Sequence, residues 1–122
     1  MYTRQGLRAI ASRYVSNECD PFVFLGIGEG DKGLSDQDTI LEKEIRGDGM
    51  QRVQAEIGED VDGHITLSAK FVCMRPAVIR EIAVFNALNG GVMLKRQLIG
   101  PYTVALGTEY TARFILNDPE NE

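Results

Sequence analysis

Tryptophan is absent from this chain, histidine occurs once and cysteine only twice. A lone His64, with no serine or cysteine beside it in sequence, offers no sign of a histidine-based nucleophilic triad. Two cysteines, Cys19 and Cys73, are too few for a disulfide-stapled scaffold and lack metal-ligand spacing, so both are expected to be reduced thiols in or near the core. No stretch approaches the roughly 18 apolar residues that a membrane helix needs, and a soluble protein without a membrane partner is expected. Cations are also scarce: 13 Lys and Arg against 18 Asp and Glu give a formal net charge of -5. That balance repels a phosphate backbone, which argues against nucleic acid as the main partner. With 122 residues the chain has room for one domain, spanning 1–122, with one modest core.

What is present is alternation. Residues 79–99 (IREIAVFNALNGGVMLKRQLI) form two apolar runs hinged on Asn89-Gly90-Gly91, the pattern of a β-hairpin whose strands each keep a face for the core. Its scaffold residues are expected to be Ile79, Ile82, Val84, Phe85 and Leu94, joined by Phe114 from the closing strand. Residues 64–73 alternate Ile65, Leu67, Ala69, Phe71 and Cys73 against polar neighbours, after a strong turn signal at Asp62-Gly63. Further strands are predicted at 22–27, 51–57, 92–98 and 108–116, the second hairpin strand ending at a Gly100-Pro101 break. Ser35 and Asp38 suggest a capping box for a short helical turn over Thr39 to Ile45. Before the first strand, residues 4–15 place Leu7, Ile10, Ala11, Tyr14 and Val15 at helical spacing. This arginine-bearing stretch has some likeness to a mitochondrial presequence, but it runs without a cleavage-like break into the next element, so it reads as a helix docking on the domain or on a neighbouring subunit. The sum is a mainly β chain: a compact, jelly-roll-like antiparallel β-sandwich over about 22–116, preceded by an amphipathic helix and followed by a frayed acidic tail at 117–122.

Several motifs imitate chemistry. Gly28-Glu29-Gly30-Asp31-Lys32-Gly33 matches G-x-G-x-x-G literally, yet the expected helix after it is too short, two acids sit where a phosphate would lie, and the later strands look antiparallel. Without its βαβ context the motif reads as a flexible surface loop. Glu59, Asp60, Asp62 and His64 are the densest set of oxygen and nitrogen ligands, but their spacing does not match a calcium loop and Asp62-Gly63 is explained by turn geometry. No cofactor, metal or catalytic residue is therefore expected, and the chain is read as non-enzymatic. Arg80, Lys95 and Arg96 are expected to pair across strands with Glu81 or a loop acid, each pair worth about 0.2 to 1 kcal/mol.

The order of the segments carries a resemblance. A helix with GLRAIA leads to FVFLGIG, then to D-T-x-L-x-x-E (Asp38, Thr39, Leu41, Glu44), I-x-E-x-x-x-F (Ile79, Glu81, Phe85) and GG-x-M-L-x-R (Gly90, Gly91, Met93, Leu94, Arg96), then to a closing YTARFIL strand. Over residues 6–116 this resembles a family of small virion proteins of tailed phages and archaeal viruses, labelled tail-fibre-like, baseplate or minor structural proteins. The glycine loop is richer in charge than that pattern and no long fibre repeat follows, which argues against a stand-alone fibre and leaves an adaptor, baseplate or neck component, or a capsid decoration protein. The resemblance implies a repeated building block of the tail, baseplate or neck, located in the virion after assembly in the host cytoplasm. Capsid decoration, or a host receptor- or carbohydrate-binding module of the tail, is the alternative. Its partners would be other virion proteins and copies of itself, with a host-surface receptor under the alternative. Contacts between subunits are assigned to the helix (Leu7, Ile10, Tyr14) and to the acids of the glycine loop (Asp31, Asp36, Asp38, Glu42).

Overall fold

The computed structural model describes residues 1–16 and 20–117, with the side chains of 13–16 excepted. Its elements are α1 (Arg4–Ser16), β1 (Phe24–Gly28), β2 (Val53–Gln54), β3 (Glu56–Glu59), β4 (Ile65–Val72), β5 (Ala77–Phe85), β6 (Met93–Val104) and β7 (Glu109–Ile115). The strands form two antiparallel sheets, ordered β2-β1-β5-β6 and β3-β4-β7. A mainly β sandwich with one N-terminal helix is thus what the chain forms. Among the described residues, no helix is long and apolar enough to cross a membrane.

The main core lies between the sheets. Leu67, Phe71 and Phe114 from the second sheet meet Leu25, Ile27, Ile79, Ile82, Val84 and Leu94 from the first. The period-2 pattern of β4 explains its half, since alternate residues of a strand share a face. Cys73 is buried there as a free thiol; Cys19 lies outside the described residues.

Strand β5 is buried on both faces. Ile79 pairs with Tyr102 and Glu81 with Leu98, so Ile99, Gly100 and Pro101 together oppose Arg80. This bulge shifts the phase of the strand. Ile82 and Val84 face the main core, whereas Ala83 and Phe85 turn to the other side and join Leu41 and Met93 in a second, smaller cluster. That outer face is roofed by residues 29–52, which run along the sheet between β1 and β2. The Gly100-Pro101 break expected from sequence does not end the strand: β6 continues to Val104, because Gly100 takes a φ of 63° and the bulge absorbs the extra residues.

Three other expectations are corrected. The strand predicted over 51–57 divides at Ala55, whose N–H donates to the Val23 carbonyl at 2.7 Å as the chain passes from one sheet to the other. No helical turn follows Ser35. Its N–H does reach the Asp38 carboxylate at 3.0 Å, but residues 43–45 run beside β1 instead, with Ile45 N–H donating to Ile27 O and Glu29 N–H to Lys43 O. The chain end is not loose at Asn117, whose side chain accepts the Ile65 N–H at 2.8 Å; residues 118–122 lie outside the described set.

Helix α1 forms where expected but is rolled about its axis. Thr3 caps it, its hydroxyl accepting the Gly6 N–H at 2.9 Å. A Cβ on Gly6 would lie 2.5 Å from Leu94 Cα, so this glycine is the point of closest approach to β6. Ile10, one turn on, packs on the main core, while Leu7 is 52% exposed. Periodicity counted only side chains and so missed a contact made by the lack of one.

Phe85 is 2% exposed and carries the Arg52 guanidinium 3.3 Å above its ring centroid. Phe85→Ala is expected to cost about 3 to 5 kcal/mol in urea denaturation, through the cavity left behind. A loss under about 1 kcal/mol would show that the smaller cluster contributes no packing of consequence.

Candidate functional site

The outer face of the β2-β1-β5-β6 sheet concentrates most of the ionic chemistry. Glu81 is wholly buried. Its Oε2 accepts the N–H groups of Gly30 at 2.9 Å and Lys43 at 2.8 Å, and its Oε1 accepts the Glu42 N–H at 2.9 Å and Arg96 Nε at 3.1 Å. A carboxylate has about four lone-pair positions, and these four donors match them. Arg96, 1% exposed, also donates to the carbonyls of Lys32 and Gly33 and to Asp38 Oδ2. The pair was expected as a weak cross-strand contact; burial makes it a structural centre, because a charge removed from water persists only when its partners are all in place.

The glycines make room for it. On β1 this side is faced by Phe24, Gly26 and Gly28, opposite Phe85, Ala83 and Glu81. A Cβ on Gly28 would meet Glu81 Oε2 at 2.6 Å, and one on Gly30 would meet the same oxygen at 2.6 Å. The G-x-G-x-x-G loop thus surrounds an anion, but the anion is the chain's own carboxylate. Asp31 and Lys32 donate their N–H groups to a second internal acceptor, Glu42 Oε1, at 2.9 and 3.0 Å. The amides that a bound phosphate would use are already taken, and the loop expected to be flexible is fastened along its length.

A second buried pair closes the other end of the loop. Arg52 grips Glu44 through Nε at 3.1 Å and Nη2 at 2.9 Å, and Nη1 reaches the carbonyls of Ala87 and Gly90, both at 2.9 Å. Both side chains are 7% exposed. Beside them is a cleft of about 500 Å³, lined by Thr39, Ile40, Arg46, Gln51 and the hairpin turn at 88–91 as well as by Glu44, Arg52 and Phe85. Among its described lining residues there is no histidine, cysteine or serine. Ile40 and Leu88 stand exposed at its rim. Elsewhere, Arg75 joins Glu29 and Asp48, each at 3.1 Å. Burial alone would raise the Glu29 pKa, but the Val78 N–H, Arg75 and Arg80 together draw it below its ordinary value.

The residues assigned to subunit contacts divide. Leu7 is exposed, and Asp31 and Glu42 are exposed with Glu42 capping loop amides. Asp36 pairs with Arg4 across 3.2 Å, and Arg4 N–H donates to Asp36 O, so helix and loop share one surface. Asp38 and Ile10 are different: Asp38 is 7% exposed against Arg96 and Ile10 is half-buried against the main core. The Tyr14 side chain lies outside the described residues. Ile79, Ile82, Val84, Phe85, Leu94 and Phe114 are all buried. What the sequence reading undervalued was Glu81 with its glycines. The signal was a glutamate inside a strand apolar on both faces, a position that both layers would cover.

Asp60, Asp62 and His64 offer ligand atoms within 4.8 Å of one another. Asp60 Oδ1, however, accepts the N–H groups of Asp62 and His64 at 2.9 and 3.0 Å, and Oδ2 meets His64 Nδ1 at 3.1 Å. This is the geometry of an Asx turn holding a hairpin tip, with Gly63 at a φ of 81°.

Two outcomes are expected. Glu81→Gln turns an acceptor into an amide donor against the Gly30 and Lys43 N–H groups and removes one of the two carboxylates, Glu81 and Asp38, that face the buried Arg96. A loss of about 3 to 5 kcal/mol is expected, with hydrogen exchange of the Gly30, Glu42 and Lys43 amides accelerated ahead of the β4 amides. Unchanged protection of those three would refute the clamp. At the hairpin tip, the His64 backbone N–H is the main cause that lowers the Asp60 pKa. The turn's stabilisation is therefore complete above the ordinary aspartate range and lost as pH falls through the lowered value. NMR titration should show the Asp62 and His64 amides shifting only below the ordinary range.

Comparison with known protein families finds no family model that matches the chain, and comparison with curated proteins finds no relative.

Proposed function

We propose that this protein is a non-enzymatic structural component of a tailed virus particle, a repeated building block of the tail, baseplate or neck that acts through subunit contacts. One observation carries the reading. Five positions of the motifs that resemble small virion proteins (Asp38, Glu44, Glu81, Phe85 and Arg96) converge on the outer face of one sheet, where they hold the 29–52 loop in place, while Ile79 and Leu94 of the same motifs face the main core. The pattern that suggests the family is thus a pattern of scaffold, as a building block requires. The buried charges Glu81, Arg96 and Asp38 are satisfied by one another and by main-chain groups of the loop, which favours architecture over reaction.

The surface shared by the helix and the loop is the contact region in this reading. Leu7, exposed on the helix, and Asp31 and Asp36, exposed on the loop, belong to it. Each contact can be weak. In a ring or lattice, later contacts become effectively intramolecular, so repetition supplies the affinity. A capsid decoration role uses the same surface at another place on the particle. The receptor-binding alternative draws on Tyr102, which is 51% exposed with its ring centroid 6.0 Å from that of Tyr110; a glycan array with the isolated protein tests it.

Mass spectrometry of purified particles should find this chain, and its absence from them would end the virion reading. Leu7→Asp changes an exposed side chain without touching the core. The variant should melt like the parent, yet its incorporation into particles should fall at least about tenfold, because avidity multiplies the weakening of each contact. Parental incorporation would remove the helix from the contact region.

A further inference from the structure

Of the sheet edges, β7 is open in a way the others are not. Met1 to Thr3 lie along β6 from Leu94 to Arg96, with Arg96 N–H donating to Met1 O and Thr3 N–H to Leu94 O, and the remainder of β6 is broken by the bulge at Ile99–Pro101 and by Pro101, which has no N–H to offer. Strand β2 is two residues long. Strand β3 carries Glu56 and Glu59 at its ends, so pairing with a copy of itself would set like charges opposite one another. Strand β7 has seven residues in unbroken register with β4 and no proline.

The direction of its free backbone groups follows from the ladder. Cys73 N–H donates to Thr108 O at 2.8 Å, and Leu116 N–H donates to Ile65 O at 2.9 Å. Bonded pairs alternate in an antiparallel ladder. Tyr110, Ala112 and Phe114 therefore bond toward β4, and Glu109, Thr111, Arg113 and Ile115 turn their N–H and C=O groups away from it. Among the described residues no strand pairs with that side. The side chains of Glu109, Thr111 and Arg113 are exposed, and among the described residues neither Glu109 nor Arg113 has an ionic or hydrogen-bonded side-chain partner.

We propose that β7 pairs antiparallel with β7 of a second copy of this chain, about a two-fold axis at Thr111, joining two sandwiches through one continuous sheet. In this register Thr111 faces Thr111. Glu109 faces the second copy's Arg113, and Arg113 faces the second copy's Glu109, so the two-fold creates two ion pairs at once. On the inner face Tyr110 stands opposite Ala112, a large residue against a small one. Neighbouring registers lose this match: an axis at Arg113 sets that residue against itself, and an axis at Ala112 leaves both charges opposite uncharged side chains. An isologous contact of this kind is self-complementary by construction. It adds a named contact to the building-block reading and is tested on the purified protein, so its failure leaves particle incorporation a separate question.

Sedimentation equilibrium of the full chain, up to about 1 mM, should show a monomer–dimer equilibrium. Glu109→Arg gives two Arg–Arg oppositions and Arg113→Glu gives two Glu–Glu oppositions, so each variant alone should dimerise at least about tenfold more weakly. An equimolar mixture of the two variants restores both ion pairs in a heterodimer and should dimerise like the parent. A parent that sediments as a monomer throughout, variants that associate as well as the parent, or a mixture that stays monomeric each overturns the proposal.

Discussion

A carboxylate without solvent organises this protein. Glu81 sits on β5 where the bulge at Arg80 has turned it to the outer face, and its charge is sustained by three amides and one guanidinium. Everything on that face follows from accommodating it. Gly28 and Gly30 lack side chains because a Cβ would occupy the carboxylate's place. The loop comes down onto the sheet because its amides are what the carboxylate needs. Arg96 is fixed by Glu81 at its side chain and by Met1 at its main chain, which places the N-terminal segment on β6 and so sets where α1 begins.

Buried ion pairs contribute little net stability relative to an apolar core but are costly to break on one side. That asymmetry suits a roof over a sheet. An apolar loop could settle on the apolar outer cluster of Leu41, Ala83, Phe85 and Met93 in several registers. Two ionic clamps, Glu81 with Arg96 and Glu44 with Arg52, each demand one arrangement of main-chain partners. The apolar cluster drives coverage of the face, and the clamps select the form it takes.

Much of the architecture was legible because strands that alternate on a half-buried sheet leave a plain record. Leu67, Ala69, Phe71 and Cys73 announced β4, and Asp62-Gly63 announced its turn. The hairpin core from Ile79 to Leu94 was legible for the same reason. The sheet change at Ala55 was not, since nothing in the run 51–57 records which sheet each residue joins. Pro101 looked like a stop, because the bulge that carries β6 past it is a property of two strands together. Among the residues assigned to subunit contacts, Leu7 and Asp31 are exposed, whereas Asp38 is buried. Its burial depends on Arg96, remote in sequence, and long-range ionic pairing has no local signature. Gly6 was passed over because a pattern of side chains cannot register a contact made by their lack.

The clamps hold the loop by its backbone. Glu81 binds the N–H groups of Gly30, Glu42 and Lys43, and Arg96 binds the carbonyls of Lys32 and Gly33. None of these bonds specifies the side chains at Asp31, Thr39 or Ile40, which are exposed. Shape and surface chemistry are thereby separated: the loop keeps its path while its outward residues can be rewritten one by one. Such a segment can change what it meets without refolding, and it would accept a grafted epitope at those positions for the same reason.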